Sequence, residues 1–444
     1  MLKIERSTLQ KSLLPLMICL LGYVSNYVLS IVLAHALNQE QFGIVTYAIL
    51  INSLLAVFIA FGTDTNSKHF LTLYLKEKAF NRLRLYISWN IEVFSKPVII
   101  TFTLFSIMFF FIDPFTFIFD HQLTNFQKIL TTILFTAPFY AATNILCTYL
   151  LCDSNVRLYT YFYYLQTNFL MVLLTLAAIY TDLLESSLSL ILMLFVLVNI
   201  FNVISCLIAT RIKSPIIYDC FKNQYHKNKL ISKMHTWNKG ARAQLYTNFS
   251  LKAMLKIDFI IMIFFAQSHS ELGIYGIAMN TAIILIFFPL GIFQHIIPSV
   301  SNIVKSKSDK KKVQALWNQS LILNTVMIFI CAFCLHHYAE NIILLFYGPK
   351  YIEAVPLVKI MCVTYIFSST GGIKSALLNY TGNTRYSNYT YFARIILCIV
   401  LAYFFKDYGM IGVAYASLIS EFARNLASTL LIRHKLNFKT LGVF

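Results

Sequence analysis

Apolar runs of about twenty residues follow one another along the whole chain, parted by short polar stretches. Runs near 12–37, 42–63, 89–112, 127–151, 159–180 and 187–210 predict six helices, and a second series near 243–267, 272–298, 316–338, 354–378, 389–405 and 410–432 predicts six more. Each is long enough to carry a helix across roughly 30 Å of hydrocarbon. Backbone amides have no water to bond inside a bilayer, so a spanning segment is a helix or a strand of a closed barrel. A barrel strand alternates with period two, and these runs do not. The pattern predicts an all-α, polytopic integral membrane protein of about twelve transmembrane helices.

The charges between the runs orient it. Lys and Arg are retained on the cytoplasmic side of short loops. The amino terminus, the 64–88 loop, Arg157, the 211–242 loop, the 299–315 loop, Arg385 and the carboxyl tail hold 26 cations, whereas the alternate loops hold two, Lys350 and Lys406. Both termini are therefore expected in the cytoplasm. The external loops are short and lean acidic through Asp113, Asp120, Asp182 and Glu185.

Composition narrows the class further. With 58% hydrophobic and 12% charged residues, the 444-residue chain carries more apolar surface than a soluble fold hides. Its formal charge of +18 lies in short loops between apolar runs rather than on a basic domain, so nucleic acid is not an expected partner. The nine cysteines fall mostly inside apolar runs and read as small buried hydrophobes. Lys3, Arg6 and Lys11 precede the first run as in a signal peptide, but the run is too long for a signal core and reads as an uncleaved first span. No phosphate-cradling Gly-Lys-Ser/Thr loop and no nucleophile elbow is present. An enzyme is not expected, nor is a cofactor or resident metal. Cys331, Cys334, His336 and His337 have metal-ligand chemistry but lack a second cysteine pair. His35 and His295 have the chemistry for proton coupling, with packing the expected role.

An internal repeat divides the chain. Gln41-Phe42-Gly43-Ile44 and Ala48 match Glu271-Leu272-Gly273-Ile274 and Ala278 at an offset of 230, and Asn155-Val156-Arg157 with Tyr161 and Tyr163 match Asn383-Thr384-Arg385 with Tyr389 and Tyr391 at 228. Six spans per half return the chain to its starting side, so the repeat is parallel. The expected organisation is an N-terminal six-helix lobe at 1–210, a basic cytoplasmic linker at 211–242, and a C-terminal six-helix lobe with a short cytoplasmic tail at 243–444. Repeats of this kind commonly face one central cavity.

Four segments carry a family likeness. They are Ala36-Leu37-Asn38-Gln39-Glu40-Gln41-Phe42-Gly43, Glu271-Leu272-Gly273-Ile274-Tyr275, Leu345-Phe346-Tyr347-Gly348 with Tyr351, and Tyr408-Gly409-Met410-Ile411-Gly412-Val413-Ala414. On these the chain resembles the multidrug/oligosaccharidyl-lipid/polysaccharide (MOP) exporter superfamily, in particular its Wzx-type O-antigen flippases. The likeness implies a MATE-like fold in the bacterial cell inner membrane, with an undecaprenyl-pyrophosphate-linked glycan as substrate. It also implies contact with membrane lipid, and with polysaccharide polymerase and chain-length machinery as further partners. The competing functions are a MATE-like drug or cation exporter and a membrane glycan polymerase or ligase. An acidic cavity would favour the exporter, and a sizeable external loop the polymerase.

Ionisable groups inside the runs are the candidate site, because each is costly to hold in hydrocarbon without water, a partner or substrate. Lys252, Lys256, Lys374, Arg394, Arg424 and Lys96 are the candidate cavity cations, and Asp258, Glu421 and Glu92 the candidate coupling or charge partners. Lys252 and Lys256 share a helix face, one turn apart, while Asp258 points away from both. Glu421–Arg424 and Glu92–Lys96 have the spacing to pair within their own helices. Lys128 and Lys359 lie near external span ends and are expected to snorkel. Pro97, Pro138, Pro289 and Pro356 are expected to kink or hinge their spans.

Overall fold

The computed structural model describes residues 6–110, 125–181, 188–222, 231–266, 268–286 and 310–436, which are helical apart from short connections. The first helices are α1 (Arg6–Ala36), α2 (Gln39–Ala60), α3 (Thr63–Lys76), α4 (Phe80–Phe110), α5 (Asn125–Cys152), α6 (Val156–Tyr180) and α7 (Leu188–Lys213). They are followed by α8 (Pro215–Lys222), α9 (Ile231–Phe265), α10 (His269–Ala282), α11 (Lys310–His337), α12 (Ala339–Tyr347), α13 (Ala354–Tyr380), α14 (Thr384–Phe404) and α15 (Gly409–Leu436). Among the described residues nine helices are long and apolar enough to cross a membrane. The protein is a multi-pass, all-α membrane protein.

Two predicted spans that are not among the nine lie on α9 and α15, whose midsections carry Lys252, Lys256, Asp258, Glu421 and Arg424. Their charge lowers hydropathy where burial compensates for it. Helix α15 shows how. Ser417, Ser420, Glu421, Arg424, Asn425, Ser428 and Thr429 are buried, while Ile411, Tyr415, Ile419, Phe422, Leu426 and Leu430 are exposed. The polar residues recur at steps of three and four, on one stripe of the helix. This inverts the amphipathicity of a water-soluble helix, because the surrounding solvent is lipid.

Two expected loops are largely helical. The 64–88 stretch forms most of α3 and the first turns of α4, and 211–242 holds the end of α7, α8 and the first turns of α9. Helix α9 has 35 residues, about 52 Å at 1.5 Å per residue, and so exceeds the hydrocarbon thickness. Pro97 and Pro138 lie inside α4 and α5, but Pro356 occupies the first turn of α13, where no helical donor is lost, and makes no break. Pro289 and His295 fall outside the described residues. His35 is exposed rather than packed, its Nδ1 2.9 Å from Ile31 O in the preceding turn.

The chain divides into two compact units, one of Met1–Asn38 and Ile44–Phe249, the other of Gln39–Gly43 and Ser250–Phe444. The sequence reading placed the second lobe's start at 243. The repeat is visible within each unit. After α5, the backbone N–H groups of Asp153, Ser154 and Asn155 donate to Tyr149, Leu151 and Leu150; after α13, those of Thr381, Gly382 and Asn383 donate to Leu377, Asn379 and Leu378. Every donor and acceptor is shifted by the same 228 positions. Ser154 and Gly382 both adopt the left-handed conformation, with φ of 65° and 81°.

In the second unit the family-like segments meet. Gln39 donates to Lys350 O, and the Phe42 and Tyr351 rings lie 6.2 Å apart. Gly43 and Gly273, equivalent in the repeat, pack backbone to backbone: a Cβ on Gly43 would stand 2.7 Å from Gly273 N and His269 O. That close approach accounts for glycine at both places.

In the first unit the start of α9 packs on α3 and α4. The buried Trp237 lies 5.2 Å from the Tyr86 ring and donates to Tyr74 Oη at 3.1 Å. Asn66 Nδ2 donates to Tyr86 Oη at 3.2 Å and to Trp237 O at 3.3 Å. A Cβ on Gly240 would come within 2.5 Å of the Asn66 side chain.

Candidate functional site

The second unit collects most of the candidate charges. Glu421, one turn before Arg424 on α15, is 0% exposed and bridges two guanidinium groups. Arg394 Nε of α14 stands 2.5 Å from Glu421 Oε2, an ion pair at an angle that is not a hydrogen bond. Arg424 Nε donates to Glu421 Oε1 at 2.9 Å, with its Nη2 on the same oxygen. Arg424 also donates to Ser375 Oγ at 3.2 Å and to Ser368 O at 3.4 Å, both on α13. Gly371 makes this possible, since a Cβ there would lie 3.0 Å from Arg424 Cζ.

Two further groups extend the network. Lys374 of α13, also 0% exposed, donates to Asn425 Oδ1 at 2.6 Å and Thr429 Oγ1 at 2.8 Å. Asn425 in turn donates to Thr370 Oγ1 at 2.8 Å. On α9, Asp258 Oδ2 accepts from Tyr275 Oη at 3.4 Å and Ser417 Oγ at 3.3 Å. Ser417 Oγ also accepts from Arg394 Nη2 at 3.3 Å, so Asp258 and Arg394 share one hydroxyl, and Arg394 Nη1 donates to Met254 O. Among the described residues of this network three buried cations stand with two carboxylates, an excess of one positive group.

The remaining candidates are less buried, and Lys256 acts electrostatically on Asp258. Lys252 and Lys256 are half-buried, and Lys256 Nζ is 3.8 Å from Met279 Sδ. Lys96 sits in the first unit on an exposed stretch of α4 and pairs with Glu92 at 3.6 Å. Lys128 is buried instead of snorkelling and donates to Ser189 Oγ at 3.3 Å. Charge counting missed the neutral partners Ser375, Ser417, Asn425 and Thr429. Three of the four lie on the polar stripe of α15, a period the sequence displays. Among the described residues no group of three or more His, Cys, Asp and Glu side chains has the arrangement to hold a metal ion.

Comparison with solved structures places the fold. A multidrug resistance MATE family transporter of the MOP superfamily, in an inward-facing conformation, aligns with a TM-score of 0.74 at 12% identity over 96% of this chain and 98% of that one. The fold is that of the MOP-superfamily transporters. The lipid II flippase MurJ, in an inward closed conformation, aligns with a TM-score of 0.65 at 16% identity over 95% of this chain and 87% of that one. A MOP-superfamily transporter from Pyrococcus furiosus, described as having a binding pocket of reverse polarity that suggests a different function, aligns with a TM-score of 0.56 at 13% identity over 95% and 94%. In sequence, residues 246–404 match the MatE family model. No curated protein sequence matches the chain. The MatE match falls on α9 to α14, the stretch that supplies Asp258, Lys374 and Arg394.

Proposed function

We propose that the protein is a flippase that carries an undecaprenyl-pyrophosphate-linked oligosaccharide, an O-antigen or other surface polysaccharide unit, across the bacterial inner membrane by alternating access. The sign of the charge held inside the second unit carries this reading. Lys374, Arg394 and Arg424 outnumber Glu421 and Asp258, and the half-buried Lys252 and Lys256 add to the excess. A pyrophosphate head group losing its hydration needs charge-assisted donors of that kind, while its lipid tail stays in the bilayer. The more accessible pair, Lys252 and Lys256, is assigned to the anion. The buried Arg394–Glu421–Arg424 triad is assigned to holding α14 against α15.

The fold relatives and the MatE match favour a second reading, a drug or cation exporter. A cationic substrate needs an acidic interior, which the excess of in-span cations opposes. The proposed orientation has both termini and the 211–242 segment in the cytoplasm, with polymerase and chain-length proteins as partners on the glycan's route. The test replaces Lys252 and Lys256 with Gln, singly and together, and reads glycan display in a flippase-deficient strain at matched expression. Display should fall. Wild-type display from every variant, or resistance to cationic dyes conferred by the wild type, would refute the proposal.

A further inference from the structure

A group of tyrosines in the first unit has no part in the charge network. Tyr159, Tyr163 and Tyr164 lie at the start of α6, where residues Tyr161–Leu165 form a π-helical turn. In that turn Gln166 N–H bonds back to Tyr161 O, which widens the helix and changes where its side chains point. The widening is accommodated on both sides. Asn168 Nδ2 donates to Tyr164 O at 3.3 Å, and α1 comes in so closely that a Cβ on Gly22 would stand 2.6 Å from that oxygen. Turns of this type cost helix stability and concentrate at functional sites.

The outcome is a ring platform. Tyr159 and Tyr163 stack with centroids 5.3 Å apart and planes within 25°. Tyr164 meets Tyr163 edge-on at 4.8 Å and touches Tyr23 of α1 at 5.6 Å. Tyr163 keeps 40% of its surface accessible. Polar groups border the rings: Lys68 Nζ is 6.0 Å from the Tyr159 ring centre, and Asp64, one turn before it on α3, acts electrostatically on Tyr163 and accepts from Asn248 Nδ2 at 3.4 Å.

An interfacial aromatic belt would be the simple explanation, but belts stay at head-group depth. Tyr140, which interacts electrostatically with Tyr163, lies twelve residues before the end of α5 at Cys152, about 18 Å along the helix axis. Tyr163 itself stands seven residues beyond Val156, about 10 Å along α6. The Tyr159 and Tyr164 hydroxyls bond each other, and acyl chains give the Tyr163 hydroxyl no hydrogen bond. A ligand with an apolar face and a polar rim matches both the ring faces and the Asp64 and Asn248 groups beside them. A pyranose ring has that form. A planar organic cation would also stack, but the Lys68 ammonium already occupies the cation position over Tyr159.

We infer that the Tyr159–Tyr163 platform, with Asp64 and Asn248 at its edge, is a binding site for a sugar ring of the head group. This rests on the flippase reading for its source of sugar. It assigns the sugar ring to the first unit.

The test uses the full chain in lipid nanodiscs with two probes, undecaprenyl pyrophosphate alone and undecaprenyl pyrophosphate bearing one N-acetylglucosamine. Tyr163→Leu and Tyr159→Leu should weaken binding of the sugar-bearing probe about tenfold and leave the bare lipid unchanged. Tyr163→Phe, which keeps the ring, should bind both like the wild type. In the wild type, saturating the aromatic protons should transfer magnetisation to the pyranose protons, a readout that needs no variant. Equal loss of both probes, no loss of either, or absent transfer would overturn the inference. If the bare lipid binds and the sugar adds nothing, the platform is wrong and the flippase reading stands. If the wild type binds neither probe, both fall, and displacement of a bound cationic dye by Tyr163→Leu would replace them with the exporter.

Discussion

Replacing Glu421 with Gln removes the one carboxylate that bridges Arg394 and Arg424, all three being at most 5% exposed. The isosteric amide fills the same space, so the effect reports charge rather than packing. Taking one partner from a buried ion pair costs about 3–5 kcal/mol, since the charge left behind stays desolvated. Here two guanidinium groups are left. Arg424 keeps Ser375 Oγ and Ser368 O, and Arg394 keeps Met254 O and Ser417 Oγ, so neither is stripped of acceptors. The expected loss therefore stays within that range, roughly two to four decades in the folding equilibrium. Unfolding in mixed micelles, followed by tryptophan fluorescence, measures it. The double variant Glu421→Gln with Arg424→Gln removes one stranded charge and should lose less than the sum of the two single changes. A Glu421→Gln protein as stable as the wild type, or a double variant at or beyond that sum, would refute the triad as a structural clamp.

Further predictions follow from close contacts and from orientation. Gly371→Ala puts a Cβ against the Arg424 guanidinium and should destabilise the protein by about 1–3 kcal/mol in the same unfolding assay, with less effect in an Arg424→Gln background. Gly43→Ala and Gly273→Ala meet backbone that has no room to move, and should sharply lower the yield of monodisperse protein on size exclusion. Gly348→Ala, with nothing within 4 Å but a φ of 82°, should cost only local backbone strain. Trp237→Ala removes the ring packed on Tyr86 and Trp89 and should cost about 3–5 kcal/mol. In a background with the native cysteines, including the exposed Cys334, replaced by Ser, a cysteine placed at Lys239 should react with a membrane-permeant maleimide in cells and resist an impermeant one; the opposite pattern would reverse the orientation.

Much of the fold was legible because membrane helices declare themselves by length and hydropathy. The repeat was legible because its corners, Ser154-Asn155 and Gly382-Asn383, need particular residues at a helix end. Helices α3 and α8 were not: they are short and mixed in polarity, and a loop of that composition looks the same. The candidate site was half legible. Ionised side chains in apolar runs stand out, and Glu421–Arg424 follows from helix geometry. Its second partner, Arg394, lies 27 positions away on another helix, a pairing that spacing alone does not reveal. Ser417, Asn425 and Thr429 carry no charge and were passed over, although their spacing of eight and four residues marks one helix face. Lys128 was misjudged because a position near a span end does not say whether the side chain turns outward to water or inward to Ser189.

The inverted polarity of α15 also bears on how the chain is made. A segment whose midsection holds Glu421 and Arg424 enters hydrocarbon at a cost of roughly 3 kcal/mol for each charge at the helix centre, reduced where the two pair within the helix. Emerging from the ribosome after α13 and α14, it meets Ser375, Lys374 and Arg394 already synthesised, so its polar stripe has partners waiting at the moment of insertion. Helix α9 has less of this advantage: Asp258 Oδ1 accepts from Phe259 N–H in its own helix, but Tyr275 and Ser417, which bond Oδ2, are translated after it. Membrane integration of this half of the protein is therefore expected to be held up at α9 and released by the last helix, with the growing chain kept beside the insertion machinery until α15 arrives.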